Sequence, residues 1–358
     1  MYRETSVGIV MPAYNEEGFV GDVIREMPAY VDRMYVIDDR STDGTWDEIL
    51  EAARADRAKR ANRSVDGARE PPGSDHLRAD GGAGALTERA TVHEPIGRVV
   101  PIQHRENMGA GGAIKTGYLA ALEDGVTATV TVDADGQMDL SQMQRLLDPI
   151  VEGTADYTKG NRLLNREYRS AMPRFRFVGN AMLTFLTKVA SGYWKTMDPQ
   201  NGYTAISHDA LEAIDLENLY EYYGYCNDLL VKLNASDMRV ADVSMPAVYG
   251  DEESSIEYST YIPKVSLMLL GNFLWRLKTK HLGTDFHPLA LFYLFGAGTA
   301  AVGALGIGWA LFDTILQSGS ILLTGTVSFL IFGLGVTLLL FAMVFDMAES
   351  EHLESQYQ

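Results

Sequence analysis

A chain of 358 residues with 48 acidic and 30 basic side chains has a net charge of −18, a field that repels nucleic acid and excludes it as the main partner. The single cysteine, Cys226, excludes an intrachain disulfide and a cysteine zinc site. The length allows one large domain and an appendage, and 21 arginines against nine lysines in so acidic a chain fit a halophilic cytosol, where salt screens surface charge.

The N-terminus, MYRETSVGIVMPAYNEE, has no basic segment followed by an apolar stretch, so the first domain is expected to begin in the cytoplasm. Val7–Met11 reads as a buried strand and the segment from about Gly18 to Met27 as a helix. Met34–Ile37 is a second strand, and Thr45 with Glu48 has capping-box spacing for a helix through about Asp56. Arg98–Gln103, Gly109–Leu122 and Val126–Val132 continue the rhythm as strand, helix, strand. This alternation predicts an α/β sheet domain over residues 1–255. Residues 57–97, rich in Gly, Ala, Arg, Asp and Pro, interrupt it as a surface insertion expected to be disordered.

The last third differs. Pro288–Phe312 and Thr314–Phe345 carry no charge, and each, as a helix, exceeds the ~30 Å hydrocarbon core. Two transmembrane helices, about 288–312 and 321–345, are expected. Arg276, Lys278 and Lys280 precede the first, and the link between them has neither Lys nor Arg. The positive-inside rule therefore keeps the main domain and the C-terminus cytoplasmic, in a multi-pass protein of the cell membrane. Within 256–285, Leu267, Leu270, Leu274 and Leu277 recur at helical spacing, which suits an amphipathic helix on the membrane surface or a core helix of the domain. Residues 347–358 read as an acidic tail.

Four segments carry chemistry. In Thr131–Gln137 an apolar strand ends in Asp133 and Asp135, whose i, i+2 spacing points both carboxylates the same way. Such hard oxygen donors at the open end of a sheet suit Mg²⁺ or Mn²⁺ bridging to a diphosphate. In Asp38–Thr45, Asp39 is placed to accept hydrogen bonds from a nucleotide, or else to cap a turn and helix. Asn107–Gly117 is a Gly-rich turn at a helix start, of the kind that can cradle phosphate. Ile114 stands where a P-loop needs Gly before Lys115, and it also breaks a dinucleotide fingerprint, so ATPase and dehydrogenase readings fail. Finally, Lys159–Lys195 has a net charge of +7 while the remainder carries −25, a basic island that calls for an anionic partner.

PAYNEE (Pro12–Glu17), IDDRSTDGTW (Ile37–Trp46), NMGAGGAIKTG, VDADGQ, KGNR (Lys159–Arg162), RFRFVGN (Arg174–Asn180) and DPQNGYTAIS (Asp198–Ser207) follow one another in order. Together they resemble family-2 glycosyltransferases of the GT-A fold, a Rossmann-like mixed sheet domain. The nearest in kind are dolichol-phosphate mannose synthases and related polyprenyl-phosphate hexosyltransferases, many with a two-helix membrane hairpin. The resemblance implies that Pro12, Tyr14, Asn15, Glu16, Asp39 and Lys115 hold a GDP- or UDP-hexose. It implies that Asp133 contacts the nucleotide side, and that the metal lies against Asp133, Asp135 and Gln137. Arg162 and Arg176 match arginines near donor and lipid phosphates. Asn180 stands near the acceptor phosphate where several members have Ser, and Asp228 matches an acidic catalytic position.

The implied reaction is inverting displacement at the anomeric carbon by a polyprenyl phosphate, which is anionic near neutral pH and needs no strong base. A homo-oligomer is compatible with this reading. The alternatives are transfer to a lipid-linked glycan or wall polymer, with Asp228 as base, and a non-catalytic membrane partner of a glycan assembly complex.

Overall fold

A computed structural model describes residues 1–64, 84–163, 174–246, 258–284, 287–317 and 321–357. The first strands are β1 (Val7–Ala13), β2 (Arg33–Asp38), β3 (Ala90–Val92), β4 (Val99–His104) and β5 (Ala128–Thr131). They are followed by β6 (Tyr157–Asn161), β7 (Thr204–Ser207), β8 (Val240–Ser244) and β9 (Glu354–Tyr357). All nine form one sheet in the order β3-β4-β2-β1-β5-β7-β6-β8-β9. β4, β2, β1 and β5 are mutually parallel, β7 runs antiparallel between β5 and β6, and β6, β8 and β9 are parallel again.

Both faces of the sheet are covered. Along β1, Ile9 and Met11 face one core while Val10 faces the other, as strand alternation requires. The first core is closed by α1 (Val20–Glu26), α2 (Thr45–Ser64) and, beyond the short α3 (Gly84–Arg89) and α4 (Gly109–Glu123), by α5 (Met143–Val151). The second is closed by α4 with two later helices, α7 (His208–Ala213) and α8 (Tyr225–Ala235), which come after α6 (Arg174–Ser191). Burial on both sides explains why the central strands are near-continuous apolar runs.

The segment forms the helix α9 (Tyr258–Lys278), with one face packed on the domain and one exposed. Val265 and Leu269 pack against Leu183, Ala190 and Val231 of α6 and α8, while Leu267, Leu270 and Leu274 are 72%, 54% and 54% exposed. The helices α10 (Pro288–Gln317) and α11 (Ile321–Ser350) follow, each longer than the expected span. Both are long and apolar enough to cross a membrane, and only 22% and 17% of their most apolar windows are buried, unlike the core helices of a soluble domain. They pack closely, since a Cβ on Gly303 or Gly335 would collide with the backbone of Phe332 or Ala300.

Three expectations change. Thr45 and Glu48 form no capping box. Thr45 Oγ1 accepts from Glu16 N, the Glu48 carboxylate accepts from Gly18 N and Gly21 N, and Asp43 receives Thr45 N. The free amides of the loop after β1 outcompete the helix's own. The flanks of the 57–97 segment are folded, because α2 runs to Ser64 and α3 and β3 precede β4; residues 65–83 lie outside the described residues. The acidic tail is also folded: Glu354–Tyr357 is β9, paired with β8 from Val240↔Glu354 to Val243↔Tyr357. The chain that leaves the domain through α10 thus returns through α11 to the same sheet.

A buried ion pair fastens the hairpin. Arg276 on α9 and Asp346 on α11 are both fully buried, with guanidinium–carboxylate bonds of 2.6 and 3.0 Å, and Arg276 also donates to Asn234 Oδ1 at 3.1 Å. Removing one partner strands the other charge, which costs about 3–5 kcal/mol, whereas apolar replacement of both is often neutral. Arg276→Ala is expected to lower the melting temperature in detergent markedly, and Arg276→Met with Asp346→Leu to restore most of it. Equal losses in both variants would assign no importance to the pairing.

Candidate active site

Parallel strands deliver their C-terminal ends to one edge of the sheet, and the sequence motifs gather there. β1 ends at Pro12 and Ala13 and gives way to Tyr14, Asn15 and Glu16. Tyr14 is exposed, and Asn15 is left-handed at φ 57°. This loop is laced to the one after β2: Asn15 Oδ1 accepts from Thr42 N at 2.8 Å, and Asn15 N donates to Ser41 Oγ at 3.0 Å.

Asp39 is buried and engaged within the protein. It bonds His104 Nδ1 at 2.6 Å and accepts from Met108 N at 2.7 Å and Gly109 N at 2.8 Å. It therefore caps α4, and the Gly-rich turn presents these amides to a carboxylate of its own chain. The glycines serve packing. A Cβ on Gly111 would lie 2.5 Å from Tyr220 O, and Gly112 N donates to Glu221 O at 2.8 Å. Lys115 on α4 is buried beneath the same loop, bonded to the Glu217 carbonyl and at 2.9 Å to Glu221 Oε1.

The β5 end opens on a pocket of about 180 Å³ whose wall includes Asp133, Asp135, Gln137, Arg162, Gln200 and Asn201. Asp135 Oδ1 accepts from Gln137 N at 2.9 Å across a left-handed Gly136. Burial, and then the charge of Asp135, push the Asp133 carboxyl up to about 7. Two like charges held this way favour a cation between them. The oxygen-only donor set suits Mg²⁺ or Mn²⁺, and among the described residues no cluster of three or more His, Cys, Asp or Glu side chains is arranged to hold an ion. A site of one or two carboxylates completed by water and substrate phosphate is the usual arrangement for Mg²⁺.

Arg162, in the same pocket wall, belongs to an ion pair that sequence reasoning missed. Arg162 reaches Asp198 through Nε–Oδ2 at 2.7 Å and Nη2–Oδ1 at 2.9 Å. Burial alone would raise the Asp198 carboxyl; the bonds and charge of Arg162, with Lys159 behind, outweigh it and hold it below the usual range. Lys159 is itself buried against Asp242 at 3.2 Å. In the basic island, then, Lys159 and Arg162 are paired within the fold, while Lys195 meets Glu351 in an exposed pair. Asp198 and Asn201 stood in a quoted motif, DPQNGY, without an assigned role. Gln200 donates to Tyr261 Oη of α9 at 3.1 Å, so that helix borders the pocket.

The structure thus brings Asp133, Asp135, Gln137 and Arg162 together. Lys115 and Asp228 are held elsewhere: Asp228 accepts from Tyr220 N, Lys232 Nζ and Asn272 Nδ2 at 2.8, 3.0 and 2.7 Å. Arg176 and Asn180 lie on α6, with side chains outside the described residues.

A family model described as Glycosyl transferase family 2 matches residues 8–65 and 86–215, over half the chain, and the chain belongs to this family. The DxD stands just after β5 of its mixed α/β sheet. A UDP-N-acetylglucosamine–dolichyl-phosphate N-acetylglucosaminyltransferase from Methanococcus voltae is 26% identical over 244 residues, covering 68% of this chain and 86% of that one. A polyprenol monophosphomannose synthase from Mycolicibacterium smegmatis is 28% identical over 181 residues, 49% of this chain and 64% of that one. Among solved structures, glucosyl-3-phosphoglycerate synthase from Mycobacterium tuberculosis superposes with a TM-score of 0.47 at 16% identity, over 76% of this chain and 80% of its own. The chain is a glycosyltransferase.

The raised Asp133 carboxyl has a consequence for stability. Its folded state holds a proton up to about pH 7 that the unfolded state releases near 3.8. Its stabilising contribution is present below 3.8 and is lost as pH rises through 7. Without divalent cations, Asp133→Asn is expected to raise the melting temperature more at pH 8 than at pH 5. An equal effect at both pH values would refute the assignment.

Proposed function

We propose that the chain transfers a hexose from a GDP- or UDP-linked donor to a polyprenyl (dolichyl) phosphate, with its catalytic domain on the cytoplasmic face of the cell membrane. The observation that carries this reading is one pocket lined by both a carboxylate pair suited to a metal diphosphate and Arg162, bordered by the helix that leads into the apolar hairpin. The two relatives named above differ in sugar but share, by their names, a polyprenyl phosphate acceptor. Sheet continuity supports the same-side placement of both hairpin ends, since β8 precedes the hairpin and β9 follows it. The exposed Leu267, Leu270 and Leu274, with Phe185 on α6, supply an apolar surface next to the spans.

In this reading Pro12, Tyr14, Asn15 and Glu16 receive the nucleotide, while Asp39 acts at one remove by fixing the turn at α4. Asp133, Asp135 and Gln137 are the residues that would hold Mg²⁺ or Mn²⁺. A divalent ion held there would supply charge neutralisation for the departing nucleoside diphosphate. Arg162, locked by Asp198, presents fixed donors to phosphate oxygens, and Arg176 and Asn180 on α6 serve the acceptor phosphate. An acceptor phosphate oxygen forms the new bond to the anomeric carbon as the diphosphate oxygen leaves, inverting the centre. No base is required, and Asp228, which a hydroxyl acceptor would need, has both oxygens engaged away from the pocket.

The test is incubation of the full chain with labelled UDP- and GDP-sugars and a polyprenyl phosphate, with Mn²⁺ or EDTA. A sugar–phosphate lipid is expected with Mn²⁺, and Asp135→Asn should reduce its formation by about 10²–10³-fold. Transfer only to a lipid-linked glycan would overturn the acceptor assignment, and undiminished transfer in EDTA the metal.

A further inference from the structure

The segment from Trp194 to Asp198 carries Asp198 to the pocket, and its conformation is fixed from outside the pocket. Three consecutive amides, Trp194 N, Lys195 N and Thr196 N, donate to the carboxylate of Glu354 at 2.8, 2.6 and 2.9 Å. Met197 N then donates to Asp242 Oδ2 at 2.8 Å, and Lys159 Nζ to the carbonyls of Met197 and Asp198. Asp198 itself is left-handed at φ 51°, a conformation that persists in a non-glycine residue only where its surroundings over-determine it. Glu354 is 8% exposed. A carboxylate so far removed from water needs hydrogen bonds, and loop amides without a ladder need acceptors. Each satisfies the other.

Glu354 opens β9, directly after the apolar hairpin. We propose that Glu354 is a positioning residue for the transferase site: it fixes the 194–198 segment and, through Asp198, aims the Arg162 guanidinium, so that the pocket is complete only when the chain end returning from the hairpin is docked on β8. The proposal rests on the reading of the pocket as the phosphate site. It makes the return of the hairpin a requirement of catalysis as well as of anchoring.

The test uses the full chain in lipid nanodiscs. In Glu354→Ala, hydrogen exchange at residues 194–203 is expected to lose protection while β1 and β5 keep theirs. UDP and GDP are titrated with Mn²⁺, and whichever binds the wild type should bind the variant about tenfold more weakly. Sugar transfer should fall by about 10²-fold, the scale of a small misplacement at a reacting centre. Glu354→Gln, which keeps an acceptor oxygen, should recover part of both losses. Glu351→Gln removes the exposed partner of Lys195 three residues earlier and should change neither. Because Glu354 acts through Asp198, adding Glu354→Ala to Asp198→Asn should cost little more. Additive losses, or unchanged exchange at 194–203, would overturn the coupling. Failure of the wild type to bind either nucleotide would instead overturn the reading of the pocket, since the exchange experiment stands without a ligand.

Discussion

A parallel sheet has one functional edge, because every strand that runs in a common direction releases its chain at the same end. Here β4, β2, β1, β5, β6 and β8 all do so, and His104, Asp38, Ala13, Asp133, Arg162 and Met245 stand at or just past their ends. Residues far apart in the chain become neighbours with no further device. The antiparallel β7 between β5 and β6 leaves this convergence intact and returns the chain from Asp198 through Tyr203 past the same pocket. The remaining geometry of the site is refinement of that edge.

The first half of the domain was legible in the sequence because its physics is local. Val7–Met11 and Met34–Ile37 are apolar runs that only a doubly covered strand explains, and observed β1 and β2 contain them. The DxD was legible as two carboxylates just beyond an apolar strand, but strand alternation does not set their direction, because β5 ends at Thr131 and Asp135 lies in the turn that follows. The intramolecular partners of Asp39 and Lys115 were not legible. They include Met108, Gly109 and Glu221, and the last is 106 residues from Lys115, a separation that no periodicity reports. The Gly-rich segment shows the same limit: glycine admits a close approach, but the sequence does not say whether phosphate or backbone makes it.

Other features were hidden for an opposite reason. β9 reads ESQY, with no apolar alternation, since it is an edge strand held by ladder bonds and by one carboxylate. Lys159–Lys195 looked like a docking surface for an anion because charge counting cannot see Asp242, Asp198 and Glu351 facing its cations. Among the described residues three of these cations are therefore paired, while Arg162 keeps partial exposure at the pocket beside its carboxylate.

The site is also where the fold departs from its easiest conformations. Among the described residues six non-glycine residues have positive φ, and Asn15, Arg40 and Asp198 among them lie in loops at the functional edge. Each such residue costs on the order of 1–3 kcal/mol, and Asp133 adds the cost of a carboxylate partly buried beside another. What sustains them is mutual restraint. The β1 and β2 loops exchange Asn15–Thr42, Glu16–Thr45 and Glu17–Asp43 bonds, so neither relaxes without the other. Groups strained in this way need little rearrangement when a charged substrate arrives, and electrostatic stabilisation is most effective where dipoles and charges are fixed beforehand. The same rigidity explains why a restraint as remote in sequence as Glu354 in β9 bears on the pocket: a loop already held in an unfavourable conformation gives way as soon as one of its anchors is released.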